Sequence, residues 1–288
     1  MRNIFDQYSQ PENKLTHCLV SCIYEDVYLL NSFLQNFCPN FFDKKSILKI
    51  EEQSVPGERH LSDNENEKKG LPDAVIYLDG KCLILESKIS SKLERDQLIR
   101  HQRTVARRGF DEIKLIGIVV DLMPNVRLDN LKQITWNEIY NWAYKERKRS
   151  DWAKKLIDYF NVAENKMVEE EYLKDGSITE FTGVHFNDEN PYSYREGKRQ
   201  LKLLMNKIRQ NKILEKELNV DLQSKGRGGI KKGNVWDFIS FKSISKINSF
   251  TEAPHLTLGI APDCVSCDLT IPYQIKGTAK KRFYNLSW

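Results

Sequence analysis

The stretch Gly-Leu-Pro-Asp-Ala-Val-Ile-Tyr-Leu-Asp-Gly-Lys-Cys-Leu-Ile-Leu-Glu-Ser-Lys-Ile, residues 70–89, reads as two apolar strands joined by a tight turn. Asp79-Gly80 is a strong signal for a two-residue hairpin loop, because a type I′ turn needs positive φ at both central positions. With these two residues at the tip, Leu78 pairs with Lys81, and further pairs step outward until Asp73 stands opposite Glu86. Directly opposed residues share a sheet face, and Lys88, two past Glu86, projects from that face while Ser87 points away. Ala74, Ile76, Leu78, Leu83, Leu85 and Ile89 then fill one face, and Val75, Tyr77, Cys82 and Ile84 much of the other. Two apolar faces describe central strands covered on both sides.

Two carboxylates facing each other in such a place repel, and a cation is the natural compensation. Oxygen ligands of this kind suit Mg²⁺ or Mn²⁺, with water and a substrate phosphate completing the coordination. Lys88 adds a positive charge able to orient an attacking water or steady charge on a phosphorus centre. The competing reading is a plain ion pair, Asp73–Lys88 or Glu86–Lys88, at a strand end. The turn that sets Asp73 opposite Glu86 favours the metal site.

Pro72-Asp73 followed by Glu86-Ser87-Lys88 resembles the signature of PD-(D/E)XK nucleases, and Gly70-Leu71-Pro72-Asp73 is similar to the G-x-x-D form of RecB-type members. The resemblance implies that Asp73 and Glu86 hold the metal and that Lys88 assists the water. It also implies a role for Gln97, since those enzymes carry Q-x-x-x-Y on the next helix. Here His101 replaces the tyrosine. Nucleases of this kind often bring a glutamate of the first helix to the metal, which makes Glu12 a candidate. Glu12 has a second reading, as the third residue of a capping box begun by Ser9, with Pro11 at an early helical position.

The 288 residues are 40% hydrophobic and 30% charged, enough for one large domain or two modest ones with real cores. No run approaches the roughly 20 apolar residues of a membrane span, and the opening Met-Arg-Asn-Ile-Phe-Asp-Gln-Tyr lacks the apolar centre of a secretory signal. The expectation is a cytoplasmic protein with no membrane partner. None of the six cysteines suggests a disulfide framework, and Cys264-Val-Ser-Cys267 is a solitary pair, read as ordinary strand cysteines. A net charge of +5 permits a polyanionic partner without arguing for one.

The periodicities predict a long helix over 11–38, strands at 47–54 and 114–121, and a helix over 94–108. An exposed polar loop spans 55–70, and further helices run to about 172. With the hairpin, the order is αβββαβ, which matches the core of restriction-endonuclease-like folds. Arg100, Arg103 and Arg107 follow one another along the 94–108 helix, suited to flanking phosphates or simply to solvent. The fold class is thus α/β, with a nuclease-like domain over 1–165, a linker over 166–180, and a smaller α+β domain over 181–288. That last domain is read as a strand and turn near 181–192, a helix over 193–218, and strands over 235–241 and 255–272. Its glycine-rich loop, Ser224 to Gly233, does not fit a P-loop. Lys225 and Arg227 in that loop are candidates for nucleic-acid backbone contact, with a plain surface hairpin as the alternative.

The reading is a Mg²⁺- or Mn²⁺-dependent endonuclease acting on nucleic acid, taken as DNA, in prokaryotic defence or repair. The alternative is a silent or partner-activated binding module with a nuclease-like fold. A homodimer would suit cutting both strands of a duplex, and the C-terminal domain is a candidate for binding substrate or a protein partner.

Overall fold

The computed structural model describes residues 8, 10–43, 47–54, 71–184, 186, 191–224, 226–227, 235–242 and 250–275. By contacts the chain divides into two units, Met1–Thr179 and Glu180–Trp288.

The first unit is built on the hairpin. Strands β2 (Ala74–Leu78) and β3 (Lys81–Ser87) turn at Asp79 and Gly80, with φ of 43° and 75°. Pairing runs from Leu78↔Lys81 to Ala74↔Leu85, the register that the two-residue loop predicts. Strand β1 (Lys49–Glu52) joins β2 antiparallel, while β4 (Glu112–Val119) and β5 (Leu131–Thr135) extend the sheet from β3 in parallel. The order β1-β2-β3-β4-β5 places β3, which carries Glu86, at the centre.

Both faces are covered, as the apolar composition of β2 and β3 requires. Ala74, Ile76, Leu83 and Leu85 pack in one core with helices α1 (Pro11–Glu25), α2 (Val27–Phe37), α4 (Trp136–Glu146) and α5 (Asp151–Glu169). Val75, Cys82 and Ile84 pack on the other face with Leu98 and Val105 of α3 (Arg95–Arg107).

The single helix expected over 11–38 is two helices. The apolar stripe continues across the break, but Asp26 leaves helical geometry (φ −127°) and caps α2 through Leu29 N–H. Its other oxygen accepts from Ser150 Oγ at 2.5 Å, and Ser150 in turn caps α5. The N-cap of α1 is Gln10, with no side-chain cap bond. The capping box from Ser9 is therefore not the arrangement, and Ser9 itself lies outside the described residues. The expected loop over 55–70 also lies outside them.

Residues 166–180, expected as a linker, begin inside α5. The following chain folds back so that buried Glu164 accepts from the N–H groups of Ile178 and Thr179, at 2.7 and 3.3 Å, and from the Thr179 hydroxyl.

The second unit carries an antiparallel sheet in the order β6 (Val220–Asp221), β7 (Val235–Phe241), β8 (His255–Ile260), β9 (Val265–Thr270). Leu201 and Met205 of α6 (Tyr194–Arg209) pack against Val235, Ile239, Leu258 and Ile260 on one face. The helix expected over 193–218 breaks at Asn211, whose side chain caps the short α7 (Lys212–Glu217). No strand forms over 181–184, where a strand and turn were expected.

Asp26 joins the starts of two helices, so Asp26→Ala should lower stability by about 1–2 kcal/mol, the usual cost of a lost N-cap. Urea unfolding of wild type and variant measures this directly.

Candidate active site

The hairpin ladder ends one residue short of Asp73. Beyond it, the Asp73 carbonyl accepts from Gln53 N–H at 3.0 Å, and Lys88 N–H donates to the Ile118 carbonyl at 2.8 Å. These two backbone bonds hold the strand ends from which Asp73 and Lys88 project. The Asp73 carboxylate takes two donors from one residue: Ser87 N–H at 2.7 Å and Ser87 Oγ at 2.9 Å, both to Oδ2. Ser87 points away from Glu86, onto the α1 face, where its Oγ lies 2.6 Å from Thr16 Oγ1. Each hydroxyl has one proton. A carboxylate is the stronger acceptor, so Ser87 donates to Asp73, and the single Thr16 proton is shared between Ser87 Oγ and the Glu12 carbonyl, 3.0 Å away.

Glu86 is 1% exposed. Its Oε1 accepts from Lys88 Nζ at 2.7 Å and Gln97 Nε2 at 2.6 Å. Its Oε2 lies 3.2 Å from Nε2 of fully buried His101, off the line of a hydrogen bond, and has no hydrogen-bond partner among the described residues. Gln97 and His101 are one turn apart on the inward side of α3, so both reach the same carboxylate. Glu12 turns to the chain just past Lys88: its Oε1 accepts from Ile89 N–H at 2.9 Å, Ser91 Oγ at 2.8 Å and Ser91 N–H at 3.4 Å.

A family model described as the PD-(D/E)XK nuclease superfamily matches residues 3–174. The chain belongs to that superfamily. No curated protein and no solved structure matches it. The matched span holds α1–α5 and the five-stranded mixed sheet, consistent with a restriction-endonuclease-like fold, and stops short of the second unit.

Charge in this PD-(D/E)XK site is distributed unevenly. Burial, with the neighbouring Glu86 charge, pushes the Asp73 carboxyl up to about 6, against the lowering effect of the Ser87 bonds and Lys88. Burial also acts to raise Glu86, but His101 and Lys88 outweigh it and hold the group below its ordinary value. For Lys88, burial favours the neutral amine, yet Glu86 foremost, then Asp73 and Glu12, raises the pKa. Lys88 is therefore an ammonium, a donor and a positive charge rather than a proton acceptor.

Superfamily nucleases generally use divalent metal ions, and these residues fit one. An orphaned carboxylate oxygen on Glu86 and a carboxyl on Asp73 that resists ionisation are both relieved by a hard cation. Among the described residues no three His, Cys, Asp or Glu side chains converge as a metal cluster. The fit is to a cation held by two carboxylates with water supplying the rest, a common arrangement for Mg²⁺.

The other candidates lie elsewhere. Arg100, Arg103 and Arg107 are exposed on α3, away from its buried Leu98, His101 and Val105. Arg227 stacks its guanidinium 4.0 Å from the Trp236 ring centroid in the second unit, and Lys225 lies outside the described residues. Sequence reasoning missed Thr16, Ser87 and Ser91. Ser87 was visible as the middle residue of Glu86-Ser87-Lys88, but its tie to Thr16 depends on how α1 packs.

The raised Asp73 carboxyl has a consequence for stability. The folded state holds this proton up to about pH 6, whereas an unfolded aspartate releases it near 3.8. The metal-free protein therefore loses this contribution as pH rises from about 4 through 6. Asp73→Asn keeps an oxygen acceptor for Ser87 and removes the charge. In EDTA at pH 8 it should be more stable than wild type, by about 1–3 kcal/mol, with the difference shrinking toward pH 4. Urea midpoints across that range test this, and a variant less stable at pH 8 would contradict it.

Proposed function

We propose that the chain is a Mg²⁺- or Mn²⁺-dependent endonuclease that hydrolyses phosphodiester bonds in DNA. The observation that carries the reading is half-buried Asp73 beside buried Glu86, with protonated Lys88 next to them, in a chain of a nuclease superfamily. When bound between the carboxylates, the cation would lower the pKa of a coordinated water and offset phosphate charge.

The chain's own residues prepare the rest. Gln97 and Lys88 fix Glu86 Oε1, leaving Oε2 without a hydrogen-bond partner among the described residues, and Ser87 fixes Asp73 through its N–H and hydroxyl. Lys88 donates to the attacking water or to a phosphate oxygen, steadying the charge that builds as the water oxygen bonds to phosphorus and the P–O bond to the leaving group breaks. Glu12 acts as a strap that holds residues 89–91, and with them the position of Lys88. Arg100, Arg103 and Arg107 are assigned to flanking phosphates, which position a strand without reading its sequence.

The choice of DNA, a setting in prokaryotic defence or repair, and a cytoplasmic location rest on likeness to the superfamily. The absence of a helix long and apolar enough to cross a membrane, among the described residues, agrees with a non-spanning chain.

Lys88→Ala and Asp73→Ala should each abolish metal-dependent cleavage of plasmid, linear duplex and single-stranded DNA, with circular dichroism unchanged. Cleavage retained by either variant would overturn the assignment. Glu12→Gln keeps an oxygen for the strap and loses the charge, so it should retain most activity, whereas Glu12→Ala should lose at least tenfold in the same assay. Equal loss in both would instead give the Glu12 charge a direct part in the chemistry.

One observation favours a second reading. Because no third acidic or histidine ligand joins the pair among the described residues, the fold would also suit a module that holds nucleic acid and cuts only with a partner. Binding without turnover across Mg²⁺ and Mn²⁺ is the result that would select it.

A further inference from the structure

The second unit contains a cavity of about 840 Å³, within the ~300–1,000 Å³ typical of small-molecule sites. It lies mainly on the face of the β7–β9 sheet opposite α6 and reaches round the strand ends to Tyr192, Val235 and Ile260. The α6 face takes Val235, Ile239, Leu258 and Ile260. Strand alternation sends Trp236, His255, Thr257, Gly259, Ser266 and Thr270 the other way, and all six line the cavity.

The cavity has aromatic walls and a flat floor. Trp236, Gly259 and Ser266 are cross-strand neighbours on three adjacent strands. A Cβ built on Gly259 would come within 2.8 Å of Ser266 Oγ. The room left by the glycine is taken by the Ser266 side chain, which sets a hydroxyl against the sheet beside Trp236. Phe250 packs edge-on to Trp236, with ring centroids 5.3 Å apart, and Tyr273 lines the cavity while 84% exposed. His255 Nδ1 lies 2.9 Å from the Ala253 carbonyl, so it carries the proton and leaves Nε2 as an acceptor.

The chemistry of the lining selects its ligand. Among the described residues no carboxylate lines the cavity; Asp268, on the same sheet face, stands outside it. That argues against an aromatic cage for a cation, which would gain from an acid. The hydroxyls of Ser266 and Thr270 and the amide of Gln274 are neutral groups that both donate and accept, as the edge of a heterocycle requires. Arg227 lies against the ring of Trp236, its guanidinium 4.0 Å from the ring centroid. It puts positive charge beside the cavity, complementary to a phosphodiester rather than to an ammonium.

We propose that this cavity takes an unpaired nucleobase of single-stranded nucleic acid, stacked against Trp236 and Tyr273, with Arg227 as the neighbouring positive charge. The proposal rests on the nuclease reading for its choice of nucleic acid. It assigns the second unit a task separate from cutting: engagement of an unpaired stretch of the substrate.

The test is binding, measured apart from cleavage. Full-length Lys88→Ala protein in EDTA is titrated by fluorescence anisotropy into a labelled single-stranded DNA, and into an abasic strand of the same length and charge. The intact strand should bind at least tenfold more tightly. Adding Trp236→Ala or Tyr273→Ala should weaken the intact strand by roughly tenfold and leave the abasic strand unchanged, in line with the usual loss of one base–aromatic stack. Tyr273 is exposed enough that its variant should fold even if Trp236→Ala does not. Equal affinity for intact and abasic strands, or a folded Tyr273→Ala protein that binds the intact strand as its parent does, would overturn the proposal. Cleavage by wild type with metal is scored separately. Cutting without base-dependent binding removes this inference alone, and base-dependent binding without cutting removes only the nuclease reading.

Discussion

Burial of like charge is the constraint on which the first unit turns. Asp73 and Glu86 sit at the open end of a hairpin whose strands are apolar on both faces, Asp73 half-buried and Glu86 buried, so neither carboxylate is freely solvated. The molecule answers the two charges differently. Glu86 is stabilised as an anion by His101 and Lys88 and held by Gln97, whereas at Asp73 burial and the Glu86 charge outweigh the Ser87 bonds and Lys88, and the group keeps its proton up to about pH 6. That asymmetry leaves an electrostatic cost in the metal-free protein, a feature expected where function competes with stability. A divalent cation relieves it from both sides, by attracting the proton-holding Asp73 into its charged form and by giving Glu86 Oε2 a partner.

The surrounding architecture fixes this arrangement in place. A two-residue turn sets the register, and one residue of slip would send the carboxylates to opposite faces. Parallel pairing of β3 with β4 then carries the chain past Glu86 to Lys88, whose N–H is anchored on Ile118. Helix α3 delivers Gln97 and His101 from one side of the sheet, and α1 delivers Thr16 and Glu12 from the other. The site is thus clamped between two helices.

Local signals carried the centre of this picture. Asp79-Gly80 gave the turn and the register, alternation gave both faces of β2 and β3, and the order of elements gave the αβββαβ core. What was hidden depends on partners far along the chain. The break at Asp26 interrupts an unbroken apolar stripe because Ser150, 124 residues later, donates to the same side chain that caps α2. Glu12 sits where a capping box begun at Ser9 would close, but packing of α1 against the loop after β3 gives it three donors at residues 89 and 91 instead. Ser87 gives the signature no chemistry until Thr16 is beside it. The cavity of the second unit was equally illegible, since its walls come from residues as far apart as Tyr192 and Gln274 and its floor depends on a glycine that reads in sequence as an ordinary strand weakness.

The central claim, that the Asp73–Glu86 pair is a metal site with an electrostatic cost in the metal-free protein, is tested most directly by calorimetric titration of Mg²⁺ or Mn²⁺ in buffers of different ionisation enthalpy. Binding must deprotonate Asp73, so the account predicts saturable binding with about half a proton released per ion near pH 6 and almost none at pH 8. Binding that releases no proton at pH 6, or no saturable binding at either pH, would contradict it.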